Sequence, residues 1–246
     1  MKQNILILTA FFLFFLQNSY AQNKSIVTAF NGLVIRDAPS LKSNKIGKFY
    51  FGKNVGEIKN TGETLTITDE GKEISGEWLE VKNFDDKFEK GYVFSGFLGS
   101  NVEFDNKLKE EILKTGLFED FSSEYLHGDF FGDGISDYAF ILKEKNEDVS
   151  RLVILNIKKK NEIIFVNKEN STFEVRDYSW AGIFELVGEN EPLWSNYEDD
   201  FIEFANVPDN KKVYLNYNAL YLHATESCGG GFIFWKNGKF QWLQQE

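Results

Sequence analysis

A two-residue turn near the end constrains this chain most. Asn237-Gly238 lies between Gly231-Phe232-Ile233-Phe234-Trp235 and Phe240-Gln241-Trp242-Leu243. Asn-Gly supplies the left-handed residues of a tight hairpin, and aromatic runs on either side favour extended chain. Pairing about it sets Trp235 opposite Phe240 and Ile233 opposite Trp242. Each such cross-strand pair stabilises by about 0.2–1 kcal/mol. The aromatic face this creates reads as core in preference to a sugar-binding platform. The same grammar recurs upstream, with 25 Phe, 10 Tyr and 5 Trp against 3 Pro. The fold class expected is therefore mainly β.

Residues 26–100 form the first expected domain. Leu33 and Ile35 precede a turn at Asp37-Ala38-Pro39-Ser40, and Leu41 and Ile46 follow it. Pro39 fixes its own φ and keeps Ala38 extended, so a strand must end there. Leu65 and Ile67 alternate with Thr64, Thr66 and Thr68, the pattern of a half-buried strand. Gly71-Lys72 turns the chain, Trp78 and Val81 resume it, and Tyr92 and Phe94 face away from Val93. The runs Asn31-Gly32-Leu33-Val34-Ile35-Arg36-Asp37-Ala38-Pro39, Gly76-Glu77-Trp78-Leu79-Glu80-Val81 and Gly91-Tyr92-Val93-Phe94 resemble the bacterial SH3-like domain over nearly its whole length. The resemblance implies a five-strand SH3-like β-barrel that binds and does not catalyse. It also implies a ligand groove lined by Arg36, Asp37, Trp78, Tyr92 and Phe94. Trp78 reads equally as a core residue, and Arg36 as a partner for Asp37 or Glu80.

Residues 101–246 form the second expected domain, a β-rich (α+β) module with one short helix. Asp105 is a candidate N-cap, Leu108, Ile112 and Leu113 keep helical spacing, and Gly116 suits the position after a helix, which predicts a helix over about 106–115. Apolar runs at Ala139–Leu142, Arg151–Ile157 and Ile163–Val166 predict a meander, with Lys158-Lys159-Lys160-Asn161 as a solvated turn. Before them stands His127-Gly128-Asp129-Phe130-Phe131-Gly132-Asp133-Gly134-Ile135-Ser136-Asp137. It resembles the calcium loop of FG-GAP/VCBS-type repeats. Asp129, Asp133 and Asp137 match positions 1, 5 and 9 of such a loop and Gly134 matches position 6, so the resemblance implies a metal site there. Phe131 stands where position 3 should donate oxygen, and a purely structural Asp-Gly turn is the favoured alternative. No cofactor is otherwise required.

The chain opens with Met1-Lys2-Gln3-Asn4, an apolar segment from Ile5 to Leu16, and Ser19-Tyr20-Ala21. A short basic start, an apolar stretch and small residues before a cleavage point predict a signal peptide over 1–21. The protein is thus expected to be exported, periplasmic or extracellular. The apolar run is short of the roughly 20 residues a span needs, so no transmembrane anchor is expected in the mature chain.

Charge divides unevenly. Residues 22–100 carry 11 Lys and Arg against 11 Asp and Glu, whereas 101–246 carry 15 against 27. An acidic second half excludes nucleic acid as a partner. Cys228 is the only cysteine, so no internal disulfide forms. A Cys-His hydrolase is disfavoured because His127 and His223 both precede Cys228 without an orienting motif. Glu198-Asp199-Asp200 and Glu203 read as a solvated acidic run, not a glycosidase pair. The expectation is a non-enzymatic binding protein recognising cell-wall glycan or peptide, or an envelope protein. An inhibitor or immunity-type protein that masks an exported enzyme is the alternative, and a cell-wall hydrolase the weakest reading.

Overall fold

A computed structural model describes residues 25–56, 58–85, 88–119, 121, 124–195, 202–226 and 229–245. The expected signal peptide, Cys228 and the Glu198-Asp199-Asp200 run lie outside the described residues. Among the described residues no helix is long and apolar enough to cross a membrane. The protein is mainly β, and its described residues divide into two units, one of 25–29 with 33–104, the other of 30–32 with those from 105 to 245.

In the first unit, short alternating segments become strands β1 (Ile26–Val27), β2 (Leu33–Arg36), β3 (Lys45–Phe49), β4 (Ile58–Asp69), β5 (Lys72–Asp85), β6 (Phe88–Phe94) and β7 (Leu98–Gly99). Five of them make one antiparallel sheet in the order β3-β2-β6-β5-β4, while β1 and β7 pair separately. Alternation puts Leu33, Ile35, Leu79, Val81 and Val93 into one core with Val27, Phe49, Val55 and Leu98. Leu65 and Ile67 are half-buried between exposed threonines, as their spacing predicts. Glu70 and Gly71 both take positive φ, so β4 and β5 join through a tight two-residue turn.

The closed barrel expected over 26–100 does not form among the described residues. The sheet is open, with β3 and β4 at its edges. The reason is strand length: β2 stops at Arg36 before the Pro39 turn, and β1 and β7 are two residues each. No ladder runs far enough to seal the edges.

Helix α1 (Asn101–Lys114) starts five residues before the position predicted from Asp105. Ser100 is the true cap. Its hydroxyl accepts the Glu103 N–H at 3.3 Å, and its own N–H donates to Glu103 Oε2 at 2.8 Å. This reciprocal box satisfies two end donors. Gly116 has φ +71° and donates to the Leu113 carbonyl, ending the helix where expected.

The second unit holds two four-stranded antiparallel sheets. The first runs β11-β10-β9-β8, with β8 (Tyr125–Gly128), β9 (Asp137–Lys143), β10 (Ser150–Asn156) and β11 (Glu162–Phe165). The second runs β12-β13-β14-β15, with β12 (Ile183–Val187), β13 (Ala219–His223), β14 (Gly230–Lys236) and β15 (Lys239–Gln245). One core joins them: Ala139, Leu152 and Ile154 pack with Tyr178, Leu220, Leu222, Ile233 and Phe240. The Asn237-Gly238 turn has positive φ at both residues, and its register is the one its sequence predicts, Trp235 with Phe240 and Ile233 with Trp242. Ile233 and Phe240 are fully buried, and Trp235 and Trp242 pack against that core, so this face is interior.

Candidate functional site

Register places Arg36, Trp78, Tyr92 and Phe94 on one face of the first unit's sheet, with Asp37 just beyond β2, but they do not make an open groove. Trp78 and Phe94 are each only 4 % exposed. They are register partners on β5 and β6, with ring centroids 6.4 Å apart. Phe97 meets Phe94 edge-on at 5.8 Å. Glycines hold this arrangement shut, because a Cβ at Gly76 or Gly96 would collide with the Phe94 ring. Both aromatic side chains are therefore packing residues.

Arg36 donates from Nη1 to the Ser43 carbonyl at 2.7 Å. Asp37 accepts the Asn44 backbone N–H at 3.0 Å and its side-chain amide at 2.7 Å. These two residues fasten the turn from 37 to 44. Tyr92 is Arg36's register partner and keeps partial exposure. Its hydroxyl donates to Glu80 Oε2 at 3.3 Å, and the Lys90 ammonium reaches the same oxygen at 3.3 Å. The Lys90 hydrogen bond holds the Glu80 carboxyl below its ordinary pKa, and the bonds to Tyr92 and Glu80 hold Lys90 above its own. Arg36 pairs with neither Asp37 nor Glu80 in an ion pair; it is bound to backbone.

The aspartate loop between β8 and β9 closes on its own amides. Asp129 Oδ1 accepts the Phe131 and Asp133 N–H groups at 3.3 and 3.1 Å, and Oδ2 accepts that of Gly134 at 2.8 Å. Asp133 accepts the Ile135 N–H at 3.0 Å. Gly132 and Gly134 take φ of +68° and +78°, the conformation that needs glycine in so tight a turn. Phe131, at the position where a calcium loop would offer oxygen, packs on Trp235 at 5.1 Å and Phe240 at 5.7 Å. That position serves the core.

Asp137 points inward and is fully buried. Its Oδ1 accepts the Ile157 N–H at 2.8 Å, while Oδ2 lacks a hydrogen-bond partner. Burial pushes its carboxyl up to about 7; the charges of Asp133 and Asp129 add to the rise, and the Ile157 and Phe130 amides oppose it. Among the described residues of the loop, this orphaned oxygen is the feature that invites a cation. Among the described residues no group of three or more His, Cys, Asp or Glu side chains is placed to hold a metal ion. With the Asp129 carboxylate taken up by loop amides and Phe131 turned to the core, the loop has the hydrogen bonding of an Asp-Gly turn. Lys158 balances its outer side, donating to the Asp133 carbonyl at 3.0 Å.

Among the described residues, an open concave surface lies elsewhere in the second unit. β12 and β13 are joined by a long excursion, 188–218, which returns over one face of their sheet through the Leu193–Val213 bridge. Between them opens a groove of about 470 Å³. Its floor follows one row of the sheet, Glu185 opposite Tyr221 opposite Phe232. Trp194 and Phe204, with centroids 5.4 Å apart, come from the excursion. Glu191 and Leu186 stand at its mouth, both exposed. Sequence reasoning misses this site because its parts are spread from 185 to 245. The length of the excursion between two paired strands is the one signal that could have raised it, since long connections are commonly functional.

The described histidines show no catalytic partnership. His127 stacks on Tyr138 at 4.7 Å on the outer face of β8, and loss of water from that side holds its pKa below the usual value. His223 Nδ1 bonds the Ala224 carbonyl at 2.7 Å. No protein-family model, curated protein or solved structure matches the chain.

Proposed function

We propose that the protein is an exported, non-enzymatic binding protein whose recognition surface lies in the second unit. The observation that carries this reading is the open aromatic groove above β12–β14, with exposed Glu185 and Glu191 at its edge. Ligand sites are concave, mainly apolar and marked by a few polar groups, and this groove has that composition. The first unit is read as an SH3-like module. With Trp78 and Phe94 buried and Arg36 and Asp37 tied to their own turn, its expected groove is largely consumed by packing. That shifts recognition from wall glycan toward a protein partner in the cell envelope, the masking role expected of an acidic inhibitor-type chain.

The test compares the full-length mature chain with its Trp194→Ala/Phe204→Ala variant. Each is incubated with purified insoluble cell wall and, separately, with the soluble exported proteins of its own host. The wild type should retain a defined exported protein that the variant loses, while neither sediments with wall. Sedimentation of both proteins with wall would return recognition to the first unit and defeat the proposal.

A further inference from the structure

We infer that the groove of the second unit seats a basic side chain, arginine foremost, presented by a peptide segment of the partner protein. The inference rests on the reading that this groove is the recognition surface, and adds the chemistry of what enters it.

The floor is aromatic. Tyr221 and Phe232 lie with ring centroids 5.2 Å apart, and Phe232 is only 7 % exposed. Burial and the charge of Glu185 hold the Tyr221 hydroxyl above its ordinary pKa, so its ring stays neutral phenol. Trp194 forms a side wall. Such faces attract cations, indole most strongly.

The rim is anionic and open to solvent. Glu185 projects from β12 directly opposite Tyr221, and Glu191 folds over Gly188, where a Cβ would strike its carboxylate. Among the described residues neither glutamate meets a Lys, Arg or His. A cation on the aromatic floor would stand beside both carboxylates. The molecule already uses this arrangement once at the groove's edge: the Lys212 ammonium stands 4.6 Å from the Phe204 centroid and is held by Asp209 at 3.1 Å.

Arginine fits better than lysine. Its planar guanidinium stacks on a ring while its edge offers paired donors to carboxylates, and it loses less hydration on entry. Shape favours a peptide over a small enclosed ligand. The groove is open along its length, and Leu186 and Phe204, 41 and 40 % exposed, give apolar surface for residues flanking the arginine. The excess of 27 acidic over 15 basic residues in 101–246 attracts a basic segment over distance.

The test uses the full-length mature chain and three capped tripeptides, acetyl-Leu-Arg-Leu-amide and its Gln and Glu counterparts. Binding is read from the NMR signal of the Trp194 indole N–H. The Arg peptide should bind at least about tenfold more tightly than the Gln peptide, and the Glu peptide should not bind at all. A Glu185→Gln/Glu191→Gln variant should lose that tenfold preference, keep its affinity for the Gln peptide and melt as the wild type does. Equal binding of Arg and Gln peptides, or no shift of the indole signal by about 10 mM Arg peptide, overturns the inference. The broader reading fails separately, when the Trp194→Ala/Phe204→Ala variant still retains the exported partner.

Discussion

The two units spend their aromatic residues differently. In the first, Trp78 and Phe94 sit at the centre of their sheet, and Gly76 and Gly96 let backbone press onto the Phe94 ring until nothing is left for a ligand. In the second, Trp194 and Phe204 come from a chain excursion pinned through Leu193 and Val213, Tyr221 lies on the sheet, and a groove stays open between them. The charges diverge in parallel, balanced over 22–100 and strongly acidic over 101–246. An aromatic cluster therefore marks a core or a binding surface according to what backs onto it. Glycine at the point of closest approach is the residue that decides.

The largest effect that could break this contrast is in the first unit. Phe94→Ala should cost about 3–5 kcal/mol in urea unfolding, the usual cost of emptying a buried aromatic site. A loss under about 1 kcal/mol would mean the ring is not a packing residue and would reopen the first unit as a ligand surface. Next comes Asp137. Its folded pKa, about 7, lies above that of the unfolded chain, so the folded state holds a proton that the unfolded state has released. Stability should fall as pH rises from about 4 to about 7 and level off above. Asp137→Asn should remove that slope, stabilising by about 2–4 kcal/mol at pH 8 and hardly at pH 4. Equal effects at both pH values would refute a buried, orphaned carboxyl.

A smaller effect separates Ser100 from Asp105. Ser100→Ala should destabilise by about 1 kcal/mol through the lost helix cap. Asp105→Ala should leave the helix start intact, as judged by amide exchange at Glu103 and Phe104. The smallest effect concerns the aspartate loop. If the loop is a purely structural turn, excess calcium or EDTA should move the melting temperature by less than about 1 °C, because an ion that does not bind the native state adds no stability. A rise of several degrees with calcium would make Asp129, Asp133 and Asp137 a cation site after all.

What was legible in the sequence was what local chemistry decides. Asn237-Gly238 fixes its hairpin register within a few residues, and the threonine alternation around Leu65 and Ile67 reports its own exposure. The helix start was within reach too, since Ser100 and Glu103 form a local box. Asp105 misled because its carboxylate instead accepts the Tyr125 hydroxyl at 2.6 Å, a contact made only by the folded chain. Phe131 looked like a defect in a metal loop, and its reason, the Trp235–Phe240 pair, lies a hundred residues downstream. Likewise Phe94 is sealed by glycines from other elements, and the groove gathers residues from four strands and an excursion. Sequence spacing carries no trace of such meetings.

The β1–β7 pair also has a consequence in time. Ile26 meets Gly99 and Val27 meets Leu98, so this ladder closes a loop of about 70 residues. The ladders β8–β9, β9–β10, β10–β11, β13–β14 and β14–β15 each join strands adjacent in the chain. Distant pairing is slow, and neighbouring pairing fast. A chain delivered from its amino end therefore presents early a segment whose last partner comes late. Ile26 and Val27 can meet Gly52, Lys53 and Asn54 first. Their ladder to Leu98 and Gly99 waits for the rest of the unit, whereas the hairpins of the later residues can form as soon as their turns emerge. The part made first is finished late, and for that interval its core residues are exposed to whatever escorts the nascent chain.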